Sequence, residues 1–225
     1  IFGILTGWWL GKRIILKKFK NLNFNIEEFD NLITYIIISM LLGGRIGYIL
    51  FYNFGYYLSN PFDILKIWEG GMSFHGALIG IIIGTYWFSI KKNMPTFFLL
   101  DIVAFVAPIG IFFGRVANFI NGELVGKTTD VFWGVIFPNI DNNIRHPSQL
   151  YEAFFEGVVL FLILLLFWNK NYLNKTGKLS ALFLIFYSFF RFFVEYYRVP
   201  DEHLGYLILN LTTGQIISIV FFVTG

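Results

Sequence analysis

Residues 95–113 read PTFFLLDIVAFVAPIGIFF, an apolar run with a single charged residue, Asp101. A helix of about 20 apolar residues crosses the hydrocarbon core of a bilayer, so this run predicts a membrane-spanning helix. Six further apolar runs occur near 1–11, 31–52, 72–90, 148–168, 179–197 and 206–224. The sequence therefore predicts an all-α fold, a polytopic membrane bundle of seven transmembrane helices. Because Ile1 already lies inside an apolar run, we expect the first helix to be truncated and no cleavable signal peptide to be present.

The composition also indicates a chain embedded in a membrane. Of 225 residues, 56% are hydrophobic and 14% are charged, against about 25% charged residues in typical soluble proteins. The mean hydropathy is +0.67. The absence of cysteine excludes disulfides, thiolate metal sites and a thiol nucleophile supplied by the chain itself. We expect one integral-membrane domain that covers residues 1–225.

The distribution of basic residues between loops predicts the orientation in the membrane. The loops on one side contain ten of them, namely Lys12, Arg13, Lys17, Lys18, Lys20, Lys91, Lys92, Lys170, Lys175 and Lys178. The loops on the other side, with their edges, contain five, namely Lys66, Arg115, Lys127, Arg145 and Arg198. Cytoplasmic loops are enriched in Lys and Arg, so the first side is predicted to be cytoplasmic, together with the carboxyl terminus.

The polar motifs of the chain then fall at the outer face. The stretch GRVANFINGELVG (114–126) places an Arg, two Asn and a Glu between glycines. Three other polar stretches lie on the same side, WEGGMSFHG (68–76), RHPSQLYE (145–152) and RVPDEHLG (198–205). We expect residues 114–147 to form a long outer-face loop, in which WGVIFP (133–138) forms a short strand or a partly inserted segment.

Ionisable groups inside the predicted spans form stripes along helix faces. Such a group costs at least a few kcal/mol in lipid unless it faces a partner or a polar cavity. Helical spacing predicts three stripes, which are Arg45, Tyr48 and Tyr52; Gln149, Glu152 and Glu156; and Tyr187, Arg191, Glu195 and Arg198. Purely structural roles remain alternatives to functional ones. Arg191 and Glu195 could form a buried structural ion pair, and Glu156 could be a hydrogen-bond acceptor. Asp101 is interpreted as a hydrogen-bonding residue in helix packing.

The fixed positive groups favour an anionic ligand. The guanidinium groups of Arg45, Arg115 and Arg191 offer forked donors that suit a phosphate, and Asn118 and Asn121 add amides. A phosphate reached from within the membrane indicates a phospholipid head group. His75 begins a predicted helix near these groups and is a candidate base, with a purely structural histidine as the alternative.

Other chemistries are poorly supported by the sequence. Neither Ser73 nor Ser148 lies in a nucleophile elbow, which argues against a serine hydrolase. The three histidines, 75, 146 and 203, lack the spacing of a metal-binding motif, so no metal or cofactor is predicted. The basic excess belongs to short loops, and nucleic acid is therefore not expected as a partner.

Five motifs together resemble one family of membrane enzymes. They are GGMSFHGALIG (70–80), GRVANFINGELVG (114–126), RHPSQLYEAFFEG (145–157), RFFVEYYRVPDEHLG (191–205) and GQIIS (214–218). In this order and over essentially the whole chain, they resemble the bacterial prolipoprotein diacylglyceryl transferases. Each motif is weak alone, but the combination in a seven-span protein is specific.

The resemblance implies an activity and a site. Members transfer the diacylglyceryl group of phosphatidylglycerol to the lipobox cysteine thiol of a preprolipoprotein at the outer face of the bacterial inner membrane, the first step of lipoprotein maturation. It implies His75, Arg115 and Arg191 as catalytic residues. We hypothesise that Arg115 binds the lipid phosphate, that Arg191 stabilises the departing phosphate or the thiolate, and that His75 assists deprotonation. The residues expected to bind substrate and order the cavity, besides Arg115, are Arg45, Tyr48, Tyr52, Asn118, Asn121, Glu123, Gly126, Glu152, Tyr187 and Glu195.

The chain departs from the family pattern at a few positions. Ala77 and Ala117 stand where the family usually has glycine, and Lys127 replaces a common arginine. The family also has an amino-terminal arm with a polar aromatic motif, which is expected to precede Ile1. Two other functions remain alternatives, a transporter or scramblase of anionic lipids that uses the same arginines, and a head-group transferase with an acceptor other than cysteine.

Overall fold

The computed structural model describes residues 2–18, 24–169, 176–199 and 211–225. They group into two compact units, one formed by residues 1–11 and 101–225 and the other by residues 12–100. The described part of the chain is mostly helical, and its α-helices are α1 Phe2–Lys18, α2 Ile26–Tyr52, α3 Phe54–Ser59, α4 Phe74–Lys92, α5 Thr96–Asn121, α6 Ser148–Glu152, α7 Leu160–Asn169, α8 Lys178–Val194 and α9 Thr213–Thr224. A π-helical segment, Ala153–Val159, joins α6 to α7 without a break.

Four helical stretches are long and apolar enough to cross a membrane. They are Ile26–Tyr52, Thr96–Asn121, Ser148–Trp168 and Lys178–Tyr197, with Thr213–Thr224 as a shorter apolar helix. The all-α prediction is thus confirmed within the described residues, whereas the count of seven spans is not. The first part of the predicted span 206–224 lies outside the described residues, and the remainder is α9.

Two predicted boundaries are wrong. The helix expected over 95–113 continues to Asn121, so the first eight residues of the predicted loop 114–147 are helical. A helix can extend beyond the hydrocarbon, because Arg115 is a good helix former and tertiary packing outweighs the weaker helix propensity of Asn118. At the amino end, α1 continues to Lys18, although a loop was expected from residue 12. Lysine and arginine are good helix formers, so basic charge did not mark a helix end there.

In the unit of residues 12–100, α2 and α4 pack through glycines. A Cβ atom at Gly80 would clash with the carbonyl oxygen of Ser39, and one at Gly76 would clash with the carbonyl oxygen of Gly43. The backbones of the two helices therefore approach more closely than side chains would allow, as is common for small residues in membrane helices. The backbone N–H of Ser73 also donates to the carbonyl of Gly44 at 2.9 Å. The glycines that follow His75 thus have a packing role.

In the other unit, Asp101 fixes the start of α8. Its carboxylate accepts hydrogen bonds from the Gly177 N–H at 2.7 Å and from both the N–H and the hydroxyl of Ser180 at 2.8 Å. These donors are among the amides that a helix start leaves without intrahelical partners. The interpretation of Asp101 as a hydrogen-bonding packing residue is confirmed.

A small sheet lies between α5 and α6 along the chain. Strands β1 Val135–Ile136 and β2 Ile144–Arg145 pair antiparallel, which confirms a strand in 133–138. Gly126 donates to the His146 carbonyl at 3.1 Å, and Lys127 donates to the Tyr197 carbonyl at 2.8 Å. A Cβ atom at Gly126 would lie 2.8 Å from the Tyr197 carbonyl oxygen. The segment around Gly126 thus runs between two other chain segments with no space for a side chain.

The close approach of α2 and α4 gives a stability prediction. The change Gly80→Ala inserts a methyl group against the Ser39 carbonyl, and we expect it to destabilise the protein by about 1–3 kcal/mol through overpacking. The matched control is Gly110→Ala in α5, because a Cβ atom at Gly110 has no neighbour within 4 Å. Alanine there should be neutral or stabilising by up to about 1 kcal/mol. Thermal unfolding in detergent micelles measures both, and equal midpoints for the two variants would contradict the packing account.

Candidate active site

A chain of ion pairs connects three helical elements in the unit of residues 1–11 and 101–225. Arg115 of α5 reaches Glu152 of α6, with 2.6 Å between Nε and Oε2. The other oxygen of Glu152 lies 3.1 Å from Nη1 of Arg191 in α8. Nη2 of Arg191 in turn lies 2.6 Å from Oε2 of Glu195, one helical turn later. Glu152 is therefore shared by two arginines that the sequence placed on different spans.

Two further charged residues join this cluster. Both oxygens of Glu156 lie 3.8 Å from an arginine, one from Arg115 Nη2 and the other from Arg191 Nη1. Nη1 of Arg198 lies 3.8 Å from Glu152. We call this group the arginine–glutamate cluster, and its members are Arg115, Arg191, Arg198, Glu152, Glu156 and Glu195.

The arginine–glutamate cluster is buried and contains equal numbers of acidic and basic groups. Glu152 and Glu156 have no exposed surface, and Glu195 is 5% exposed. Three guanidinium groups face three carboxylates, so the ionised cluster has no net charge. Charges removed from water are tolerated only when they are paired in this way. The charged groups of the cluster therefore neutralise one another inside the spans, and several ionised groups lie close together.

The local helix geometry helps to gather the carboxylates. Glu156 lies in the π-helical segment, whose wider turns are rare in proteins and are frequent at functional sites. A Cβ atom at Gly157 would lie 2.7 Å from the Cβ of Phe112, so this segment packs closely against α5. That close packing brings Glu152 and Glu156 against α5, the helix that contains Arg115.

Tyr187 belongs to the same group. It lies one turn before Arg191 in α8, and its ring stacks on Phe183 with 5.5 Å between centroids. Its phenol interacts electrostatically with Glu156, Arg191 and Arg115. The third predicted stripe, Tyr187 to Arg198, thus points at one place.

The polar turn after α5 is fixed through its backbone. The Glu123 N–H donates to the carbonyl of Asn118 at 2.9 Å, and the Gln149 side chain donates to the carbonyl of Glu123 at 2.6 Å. The Asn121 amide donates to the Glu123 carboxylate at 3.4 Å, and the side chains of both residues are exposed. The predicted residues of this turn are therefore ordered by the HPSQ segment rather than by the arginines.

In the unit of residues 12–100, the guanidinium of Arg45 has a different role. All of its nitrogens donate to backbone carbonyls, namely those of Asp63, Ile64, Lys66, Gly70 and Gly71 at 2.6–3.2 Å. Gly71 has a φ of +76°, and a Cβ atom there would lie 2.8 Å from Arg45 Nη1. The guanidinium thus holds a loop, and its donors are not directed at a ligand.

The remaining predicted residues belong to the same unit as Arg45. The rings of Tyr48 and Tyr52 stack with 5.5 Å between centroids, which confirms that they share a helix face. His75 is the second residue of α4, after Ser73, whose hydroxyl accepts from the Gly76 N–H at 3.2 Å. The side chain of His75 is exposed.

Ionisable groups outside the spans have structural partners. Hydrogen bonds from the Arg145 guanidinium hold the pKa of Asp141 well below its usual range. Burial lowers the pKa of His146, whose Nδ1 lies 3.1 Å from the Tyr151 hydroxyl. The Tyr151 hydroxyl also accepts from the Trp133 indole N–H at 2.6 Å. These contacts fix the small sheet to the start of α6.

One residue that contacts the arginine–glutamate cluster, Thr212, was not among the residues predicted from the sequence. The hydroxyl of Thr212 donates to Oε1 of Glu195 at 3.0 Å, and Thr212 is 4% exposed. The pattern Thr212 to Gln215 is a capping-box signature that indicates a helix start. It does not indicate what else the threonine contacts, because Glu195 lies on a different helical element.

A comparison with known protein families identifies the family of this chain. A family profile described as prolipoprotein diacylglyceryl transferase matches residues 1–225. The chain belongs to this family. The resemblance predicted from the five motifs is thus confirmed.

Relatives of known name support the same membership. The phosphatidylglycerol–prolipoprotein diacylglyceryl transferase of Rickettsia bellii (strain OSU 85-389) is 52% identical over an alignment of 228 residues, which covers 100% of this chain and 85% of that protein. The protein of the same name from Rickettsia felis (strain ATCC VR-1525 / URRWXCal2) is 51% identical over 229 residues. That of Ehrlichia canis (strain Jake) is 49% identical over 229 residues, covering 100% of this chain and 86% of that protein. With its apolar helices, this family member is a multi-pass membrane protein.

The shared carboxylate gives a testable prediction. The change Glu152→Ala leaves Arg115 without its closest anion and removes one of the two close anions of Arg191. We expect a loss of stability of about 3–5 kcal/mol, the usual cost of breaking a buried ion pair. The control is Asp130→Ala, which removes an exposed carboxylate from the same unit and should cost less than about 1 kcal/mol. Unfolding in detergent micelles compares the two. A Glu152→Ala protein as stable as the Asp130→Ala protein would show that the arginines do not depend on Glu152.

Proposed function

We propose that this chain transfers the diacylglyceryl group of phosphatidylglycerol to the thiol of a lipobox cysteine in a preprolipoprotein, the first step of lipoprotein maturation. The thiol sulfur attacks the glyceryl carbon, and a carbon–sulfur thioether bond forms as the carbon–oxygen bond to the phosphate breaks. Glycerol phosphate leaves, and the thiol proton passes to a base. The chain contains no cysteine, so the only thiol in the reaction comes from the substrate.

The observation that supports this proposal is the arginine–glutamate cluster inside membrane-spanning helices of a chain from this family. A phosphodiester that becomes a leaving group gains negative charge in the transition state. Preorganised donors that face such charge in a site with little water make a large contribution to catalysis. Guanidinium groups are well suited because they are always charged and form paired hydrogen bonds to phosphate.

Arg115 is proposed to bind the phosphate of the lipid. Its ion pairs to Glu152 and Glu156 use Nε and Nη2. Within the described residues Nη1 forms no ion pair, and we propose that this nitrogen contacts the ligand. Its side chain is 17% exposed, more than that of Arg191 at 12%. Of the two, Arg115 therefore has the more exposed side chain, which favours it for the first contact with the lipid phosphate.

Arg191 is proposed to stabilise the departing phosphate or the thiolate. Glu152 and Glu195 hold its two terminal nitrogens at 3.1 and 2.6 Å, so its orientation is set from both sides. Because the ionised cluster has no net charge, an incoming phosphate competes with the carboxylates for the positive charge of the guanidinium groups. Binding and chemistry then involve the same contacts that keep the charges buried.

His75 is proposed to assist deprotonation of the thiol. An ordinary cysteine has a pKa near 8.5, so a base or cationic surroundings must favour the reactive thiolate. The Arg45 guanidinium supports this role indirectly, because it fixes the loop that leads into α4 and His75. The other residues proposed to shape and order the site are Tyr48, Tyr52, Asn118, Asn121, Glu123, Gly126, Glu152, Tyr187 and Glu195.

The setting of the reaction is proposed from the same reasoning. The enzyme lies in the bacterial inner membrane with its carboxyl terminus in the cytoplasm, and the active site faces outward, where a secreted precursor emerges. Residues 1–225 are proposed to form one integral-membrane transferase domain. The alternation of basic loops supports this orientation.

A mass-shift assay tests the function. The protein is placed in phosphatidylglycerol liposomes with a lipobox peptide or with the same peptide carrying Cys→Ser. The proposal predicts a mass gain of one diacylglyceryl group on the cysteine peptide alone, because only its thiolate is a sufficient nucleophile. No gain on either peptide, together with movement of lipid between leaflets, would instead support a lipid transporter.

The role of His75 has its own test. The change His75→Gln keeps a hydrogen-bonding side chain but removes the base, and we expect the single-turnover rate at neutral pH to fall by about 100-fold or more, as for the loss of a general base. Raising the pH should partly restore the rate, because the thiol then ionises without help. A His75→Gln enzyme with a near-normal single-turnover rate would refute the assignment of the base.

A further inference from the structure

We infer that Thr212 is a positioning residue for Arg191 and acts through the carboxylate of Glu195. The inference rests on the proposed function, because it concerns the arginine assigned there to the departing phosphate or thiolate. It extends the site to the start of α9, a helix that contributes none of the predicted catalytic residues.

The contacts form a continuous path. The Thr212 hydroxyl donates to Oε1 of Glu195 at 3.0 Å, and Oε2 of the same carboxylate lies 2.6 Å from Nη2 of Arg191. Thr212 and Glu195 are 4% and 5% exposed, so water is largely excluded from this contact. A hydrogen bond to a buried charged group is stronger than one between neutral groups.

The Thr212 hydroxyl is suited to orient Glu195 because its oxygen already accepts a hydrogen bond within the helix start. Oγ1 of Thr212 accepts the N–H of Gln215 at 3.2 Å, and the N–H of Thr212 donates to the Gln215 side chain at 3.0 Å. This reciprocal pair is a capping box, which fixes the position of the threonine at the start of the helix. A hydroxyl has one hydrogen to donate, and here it goes to Glu195. Thr212 thus begins α9 and orients Glu195 with the same oxygen.

The first turn of α9 packs directly against the carboxylate of Glu195. A Cβ atom at Gly214 would have Glu195 as its three nearest neighbours, with Oε1 at 2.7 Å. The carboxylate also faces a helix amino end, where the partial positive charge of the backbone favours an anion. Three features therefore hold one carboxylate, namely the Thr212 hydroxyl, the absence of a side chain at Gly214 and the helix end.

The consequence for Arg191 is a fixed guanidinium. Glu195 holds Nη2 from one side and Glu152 holds Nη1 from the other. If the Thr212 hydroxyl is lost, Glu195 gains freedom to rotate and Arg191 loses one of its two supports. Preorganisation for the transition state then declines while the groups that bind the ground-state lipid remain. We expect a lower kcat with little change in the KM for phosphatidylglycerol.

The test compares three threonine variants in the mass-shift assay. Thr212→Gly removes the hydroxyl at a small cost to the cap, because glycine is tolerated at helix starts. We expect it to lower kcat by about 10- to 100-fold, the range for a hydrogen bond to a charged group. Thr212→Ser keeps the hydroxyl and should restore kcat to within about twofold of the parent protein. The matched control is Thr213→Gly, since the Thr213 hydroxyl is buried without a hydrogen-bond partner among the described residues, and it should leave kcat unchanged.

A second variant keeps the test decisive if Thr212→Gly does not fold. Gly214→Ala retains the cap but pushes a methyl group against Oε1 of Glu195, and it should lower kcat in the same way. The inference is overturned if folded Thr212→Gly or Gly214→Ala retains the parent kcat, or if Thr213→Gly lowers it equally. Arg191→Lys, measured in parallel, separates this result from the proposed function. Loss of rate in Arg191→Lys alone refutes the role of Thr212, whereas a normal rate in Arg191→Lys refutes the role of Arg191 itself.

Discussion

The pairing of Glu152 with two arginines is the interaction on which the site depends. Arg115 and Arg191 lie on different apolar helices, and each needs an anion close by because the surrounding hydrocarbon provides no water. One carboxylate serves both, with contacts of 2.6 and 3.1 Å, and Glu156, Glu195 and Arg198 complete a balanced set of charges. In the proposed mechanism, the same pairing that allows burial also aligns guanidinium groups for a phosphate. Stability of the helices and the proposed chemistry of the site then have one physical origin.

In the unit of residues 12–100, the buried arginine is paired with backbone carbonyls and not with carboxylates. Arg45 is 5% exposed, and backbone carbonyls of residues 63–71 surround it in place of carboxylates. Glycines let α2 and α4 approach and let the loop close on the guanidinium. An arginine with all its donors used in this way orders a loop and is a poor anion receptor. Arg45 thus differs from Arg115 and Arg191 because its partners are backbone carbonyls, whereas theirs are carboxylates.

Sequence periodicity predicted the faces of the helices better than their ends. The stripes Glu152 to Glu156 and Tyr187 to Arg198 converge as expected, because hydrocarbon penalises any unpaired charge. Helix α5 ends later than its apolar run predicts, since the polar residues after Phe113 continue the helix to Asn121. The contact of Thr212 with Glu195 was beyond prediction, because it depends on how two separate elements pack. The partners of Arg45 were missed for the same reason, as carbonyl acceptors leave no pattern in a sequence.

The most direct measurement of the central claim is the contact between lipid phosphorus and arginine nitrogen. Solid-state NMR of ¹⁵N-arginine protein in phosphatidylglycerol liposomes detects dipolar coupling between the lipid ³¹P and the guanidinium ¹⁵N nuclei. The account predicts a coupling at hydrogen-bonding distance that disappears in Arg115→Lys, which keeps the charge but loses the fork, and that persists in Arg45→Lys, whose donors face the backbone. A coupling that survives Arg115→Lys and disappears in Arg45→Lys would contradict it, because the phosphate would then lie in the other unit.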